Sequence, residues 1–225
     1  MRIDVAYKDK LLQESAAFLS ERLETCSQLP ALKLDELDPA STALVIVDMV
    51  NGFAVEGAMA SPRVGELISP IASLAARCAQ RNIRICAFAD THTSDSVELE
   101  SYPPHCLRGT AEAAVCQEIT DAAPCHVIEK NSTNGFLEPA FEAWMRENPG
   151  VDTYILVGDC TDICVMQFAL TMKAWHNSRN RALRMLIPVP LVETYDASGH
   201  PADTLNCFSL YFMQAAGAEL FAAVE

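Results

Sequence analysis

Five short, largely apolar runs punctuate the chain: Ala43–Val47 (ALVIV), Ile83–Ala89 (IRICAFA), His126–Glu129 (HVIE), Thr153–Val157 (TYILV) and Leu183–Val189 (LRMLIPV). Their length and β-branched content predict buried strands. Between them, the stretches Val64–Gln80, Glu138–Glu147, Asp162–Asn177 and Asp203–Ala216 carry apolar positions at helical spacing, the last two strongly so. Strand followed by helix, repeated, predicts a parallel sheet covered by helices on both faces, a Rossmann-like three-layer α/β/α arrangement in one domain.

The first ~40 residues break this rhythm. An amphipathic stretch near Lys8 to Glu24 precedes the polar, proline-containing segment LPALKLDELDPAS. We read residues 1–40 as a helical arm, packed on the domain or on a neighbouring subunit, and residues 41–225 as the α/β domain. An arm of this kind and a half-hydrophobic composition lead us to expect a homo-oligomer.

Charge and cysteine content narrow the function classes. The formal net charge of −14 opposes nucleic-acid phosphate and anionic membrane surfaces, so small molecules or other proteins are the expected partners. No apolar run approaches the ~20 residues that span a bilayer, and the start MRIDVAYKDKLLQE lacks the apolar centre of a signal peptide. Nine cysteines without a repeated spacing cannot all pair within the chain. A reduced, cytoplasmic setting is expected.

In folds of this class chemistry gathers at the carboxyl ends of the strands. The first strand ends in Asp48, the second in Asp90, the third in Lys130 and the fourth in the turn GDCTDICV, Gly158 to Val165. Cys164 opens a helix, with Thr161 or Asp162 as its N-cap, and a thiol there sees the positive helix end, which favours the thiolate. Its spacing with Phe168, Thr171 and Trp175 on one helical face fits a buried structural cysteine, which the helix taken alone favours. The pair Cys160 and Cys164 lacks the two-residue spacing of a redox site. A nucleophilic Cys164 needs a base and a positive charge, and Asp48 with Lys130 would supply both.

Beyond the second strand lies ADTHTSDSVELESYPPHCLRGT. Asp90 and His92 project to one side if the chain stays extended, and His105 returns after Pro103 and Pro104. Asp, His and His suit a borderline divalent ion, with Glu98, Glu100 or Asp95 as a fourth ligand; a polar surface loop fits the spacing equally well.

Taken together, VDMVNGF, DTH with YPPHCLRGT, IEK and GDCTDICV resemble the isochorismatase-like cysteine hydrolases, and within them the nicotinamidases, over Thr42 to Leu220. The resemblance implies a catalytic triad of Asp48, Lys130 and Cys164. It implies a metal, zinc first with manganese or iron as alternatives, on Asp90, His92 and His105, with Glu98 in the position seven residues before His105. Phe53, Tyr102 and Phe136 would flank a pyridine ring, and a cis peptide at Asp159–Cys160 would aim the Cys160 and Cys164 amides at an oxyanion. The implied reaction is hydrolysis of nicotinamide, and of pyrazinamide, to the acid and ammonia through a thioester. A metal-free amidase or ureido hydrolase of the same superfamily, and a noncatalytic binding scaffold, are the alternatives. The long arm, Cys160 where relatives often carry Ala, Thr or Val, and the segment NSTNGF depart from the usual pattern.

Overall fold

A computed structural model describes residues 5–225, so residues 1–4 of the expected arm lie outside the described residues. Helix α1 (Lys8–Cys26) and the short strand β1 (Ala31–Leu32) precede strand β2 (Thr42–Val47). Short helices α2 (Asn51–Ala54) and α3 (Pro62–Gly65) lead to α4 (Ile68–Gln80) and β3 (Arg84–Asp90). Helix α5 (Gln117–Ala122), β4 (His126–Lys130), α6 (Pro139–Glu147) and β5 (Thr153–Asp159) follow. The chain closes with α7 (Met166–Asn177), β6 (Arg184–Pro188), β7 (Val192–Glu193), α8 (Ala202–Ala215), β8 (Glu219–Phe221) and β9 (Ala223–Val224).

The main sheet has seven strands in the order β4-β3-β2-β5-β6-β8, with β7 paired to the end of β5, and every pairing is parallel. Successive residues of β2 serve opposite layers. Leu44 and Ile46 join Ile71, Leu74 and Cys78 of α4 in one core, whereas Ala43, Val45 and Val47 join Phe141 of α6, Phe168 and Met172 of α7, and Met213 of α8 in the other. Burial on both faces explains why the strands read as unbroken apolar runs.

The expected helix from Val64 is divided in two. Pro62 starts α3, the chain turns at Glu66 and Leu67, and α4 begins afresh at Ile68 with Pro70 in its first turn, where no N–H is needed. The arm helix α1 lies on α8, with Phe18 stacked on Phe208 at 5.4 Å and Arg22 donating to Gln214. None of its residues is buried. Strand β1 instead pairs with β9, and Leu32 and Leu34 enter the core. Among the described residues no helix is long and apolar enough to cross a membrane, and all nine thiols are free.

Candidate active site

The chain runs from β2 outward through β3 to β4 on one side of the sheet, and from β5 through β6 to β8 on the other. The order therefore reverses between β2 and β5, and a crevice opens there at the carboxyl ends. Asp48 follows β2, and Cys164 lies in the turn that follows β5. Asp90 and Lys130 are register partners at the ends of β3 and β4. Topology thus delivers four chemically active side chains from separate segments to one place.

Lys130 is the hub. Its side chain is buried, and its Nζ donates to Asp90 Oδ1 at 2.6 Å and to the Ser132 carbonyl at 2.9 Å, with Cys164 Sγ at 3.9 Å. Asp48 Oδ2 stands 2.9 Å from the same ammonium, an ion-pair distance without the alignment of a hydrogen bond, and neither Asp48 oxygen accepts a directed bond. Asp48 has φ 52°, which turns the chain sharply off the strand.

Electrostatics divide the roles. Burial pushes the Asp48 carboxyl up from 3.8 to about 6, Lys130 partly opposing it and Asp90 adding to it. Burial works in the same sense on Asp90, but Lys130 and the two histidines outweigh it and hold that carboxyl well below the usual range. Burial disfavours the Lys130 charge, yet Asp48, Cys164 and Asp90 outweigh it, so the ammonium persists. Burial pushes the Cys164 thiol well up despite Lys130. The resting group is therefore the thiol, where the helix-end argument alone favours the thiolate. Neither Thr161 nor Asp162 caps the helix with its side chain: residues Thr161–Val165 form a π-turn ahead of α7.

The turn that carries Cys164 is tightly constrained. Gly158 has φ 110°, and a Cβ there would overlap the Val47 carbonyl oxygen, so only glycine fits. The Asp159–Cys160 peptide is cis. The Cys160 thiol meets Asp159 Oδ2 at 3.6 Å, and burial raises its pKa well above 9.0.

Next to Lys130, the ligand atoms of Asp90, His92 and His105 converge. Asp90 Oδ2 lies 2.8 Å from His92 Nε2 and 3.1 Å from His105 Nε2, and the two Nε2 atoms are 3.2 Å apart. Their Nδ1 atoms face oxygens, His105 to the Pro103 carbonyl at 2.7 Å and His92 to Asn131 Oδ1 at 3.2 Å. Thr93 N–H also donates to that Asn131 oxygen, which fixes it as an acceptor. Both imidazoles thus present lone pairs at Nε2 beside a carboxylate, an arrangement that a divalent cation satisfies, with the oriented outer partners such sites use. Glu98 Oε1 is 3.8 Å from His92 Nε2, while its Oε2 accepts from the Thr133 N–H at 3.0 Å. Glu98 is therefore adjacent to the three-residue cluster rather than within it.

A cleft leads down to Lys130 and Cys164, lined among others by Phe53, Tyr102, Met59, Ile163, Thr133 and Tyr195. Phe53 and Tyr102 flank His105 at 5.4 and 6.2 Å. Phe136 is not brought to the cleft. The turn Gly135–Leu137 sends its ring into the aromatic core against Phe141, Phe168 and Trp175. Met59, Ile163, Thr133 and Tyr195 escaped the sequence reading; only Ile163, inside the nucleophile turn, carried a positional signal.

A parallel α/β sheet thus gathers a thiol, an ammonium and a carboxylate at its switch point, a set of groups suited to nucleophilic hydrolysis. A family model described as the isochorismatase domain matches residues 42–174. The chain belongs to that family, and it is an amidohydrolase. It is 30% identical to nicotinamidase 1 of Arabidopsis thaliana, over 86% of this chain and 93% of that protein. The solved N-carbamoylsarcosine amidase of Thermoplasma acidophilum superposes with a TM-score of 0.65 at 27% identity, covering 80% of this chain and 95% of the other. The pyrazinamidase of Pyrococcus horikoshii, solved in complex with zinc, shares the fold at a TM-score of 0.64 and 20% identity, covering 80% and 98%.

Proposed function

We propose that this protein is a nicotinamidase that hydrolyses nicotinamide to nicotinate and ammonia, and pyrazinamide likewise, through a thioester on Cys164. The observation that carries the reading is the shared ammonium: Lys130 joins the Asp48 and Cys164 pair to the Asp90, His92 and His105 cluster. The 30% identity to the Arabidopsis nicotinamidase supports it.

Asp48, held at about 6, is mostly ionised at neutral pH and still basic enough to take the Cys164 proton. The thiolate forms 3.9 Å from the Lys130 ammonium, whose charge offsets the burial that otherwise disfavours it. Sulfur attacks the carboxamide carbon, and the Cys160 and Cys164 amides receive the oxyanion, a contribution of roughly 3 kcal/mol for a well-placed donor. Asp48 returns its proton to the departing ammonia. It then takes a proton from water as that water attacks the thioester, and nicotinate leaves with the thiol restored. Phe53 and Tyr102 bracket the ring. A divalent ion on Asp90, His92 and His105, zinc by the donor set with manganese or iron as alternatives, supplies Lewis acidity beside the cleft. Glu98 would stand beside that ion as a further acidic group. The product, nicotinate, would enter pyridine-nucleotide salvage.

A second reading is an acyclic ureido substrate, favoured by the 27% identity to the Thermoplasma amidase. The assay is ammonia release from nicotinamide and from N-carbamoylsarcosine, each with and without chelator. Turnover of nicotinamide that chelator reduces and that Cys164→Ala removes is expected. Turnover of the ureido compound alone, indifferent to chelator, would overturn the proposal.

A further inference from the structure

The wall of the cleft formed by Tyr195 is tied to the nucleophile turn by a histidine that the reaction above does not use. Tyr195 opens the loop between β7 and α8 and lines the cleft together with Phe53 and Tyr102. Its ring lies flat on the His200 imidazole, with centroids 3.8 Å apart and planes within 7°. Both nitrogens of that imidazole are engaged: Nδ1 meets the Tyr195 carbonyl oxygen at 2.9 Å, and Nε2 meets Asp162 Oδ2 at 2.9 Å. Asp162 belongs to the π-turn whose Ile163 and Cys164 line the cleft, as does Cys160 just before it.

The loop is braced from behind as well. Ala197 and His200 exchange backbone bonds at 3.1 and 2.9 Å, Gly199 at φ 82° makes the tight turn between them, and Asp196 Oδ1 accepts from the Ala202 N–H at the start of α8. These contacts shape the loop but do not fix it to the nucleophile turn. The His200 to Asp162 bond does, across 38 positions of sequence. A ring that must meet a substrate loses affinity when it is free to swing, because ordering it again on binding opposes the contact it makes.

We propose that Tyr195 is a specificity-determining wall of the substrate site, selecting a flat ring, and that His200 is a positioning residue that clamps it to Asp162. The ligand class rests on the nicotinamidase reading; the clamp itself does not. Tyr195→Ala should raise KM for nicotinamide about tenfold, the size of one lost aromatic contact, while kcat changes far less. Tyr195→Phe should recover most of that loss. His200→Ala should raise KM several-fold, and His200→Gln, which keeps a donor for Asp162, should recover part of it. A Tyr195→Ala enzyme with unchanged KM, or one whose kcat falls while KM stays, would overturn the assignment.

Amide hydrogen exchange on the Cys164→Ala protein, with and without His200→Ala, reads the clamp independently of turnover. Faster exchange in residues 194–200 on loss of His200 is expected. Should the wild type release no ammonia from nicotinamide, the functional reading fails, and this measurement then decides the clamp: faster exchange sustains it, unchanged exchange overturns it.

Discussion

Asp48→Asn should abolish turnover and yet stabilise the protein at neutral pH. Burial holds the Asp48 carboxyl at about 6 instead of the ordinary 3.8, so the folded state binds this proton more tightly than the unfolded chain does. The associated stability is fully present below pH 3.8 and is lost as pH rises through 6. At about 1.4 kcal/mol for each pH unit, the ionised carboxylate costs the fold about 3 kcal/mol at neutral pH. Roughly half of that is lost between pH 5 and pH 8. Asparagine keeps the shape and does not ionise, and Lys130 retains Asp90 as its counter-ion. The stability of the variant relative to wild type should therefore rise by about 1 kcal/mol from pH 5 to pH 8, read by urea unfolding in the presence of chelator. In the same buffers the wild-type kcat/KM should climb through an acid limb near pH 6, and the variant should show no turnover at any pH. A stability difference that is flat with pH, or one that favours wild type increasingly as pH rises, would refute the assignment of Asp48 as the raised, buried base.

Four further outcomes follow from the same geometry. Cys164→Ala should remove amide hydrolysis with the fold intact by circular dichroism, whereas Cys160→Ala should keep most of it, because only Cys164 lies beside Lys130. Alanine at Asp90, His92 or His105 should lower bound zinc, measured by elemental analysis of dialysed protein, and Glu98→Ala should lower it less, since one Glu98 oxygen is committed to Thr133. Benzamide should be turned over far less efficiently than nicotinamide, beyond the ~1–3 kcal/mol of a small apolar difference, in parallel ammonia assays. Gly158→Ala should cost about 3 kcal/mol or more in denaturant unfolding, because its Cβ meets the Val47 carbonyl oxygen in a left-handed backbone.

The strands that carry the site were legible because burial on both faces leaves little but apolar residues in them, and the polar residue that ends each run is the one delivered to the crevice. Asp48, Asp90 and Lys130 were readable for that reason, and Cys164 from the turn that follows β5. Strand β8 was not: Glu219–Phe221 is three residues long and follows an alanine-rich helix end that masks it. The break between α3 and α4 was hidden because apolar spacing continues across it. Phe136 was placed by its distance from a motif, but its direction depends on the Gly135 turn, which a count of positions does not reveal. Tyr195 and His200 reach the nucleophile turn only through tertiary folding, and the turn-forming segment TYDASGHP signals a loop without its destination.

Asp90 gives one oxygen to the ammonium and the other to the two imidazoles. That single carboxylate makes the two halves of the site inherit each other's changes. Replacing it with a neutral residue would leave Glu98, 3.8 Å from His92 Nε2, as the acid beside the histidine cluster and, in the same step, leave Lys130 with Asp48 as its carboxylate partner, changing the Asp48 ionisation that the proposed reaction uses. A lineage or a designer seeking a version without the cluster has a narrow path: the histidines can go first, but Asp90 must stay until Lys130 has a second counter-ion besides Asp48. The order in which this site can be dismantled is written into which oxygen faces which partner.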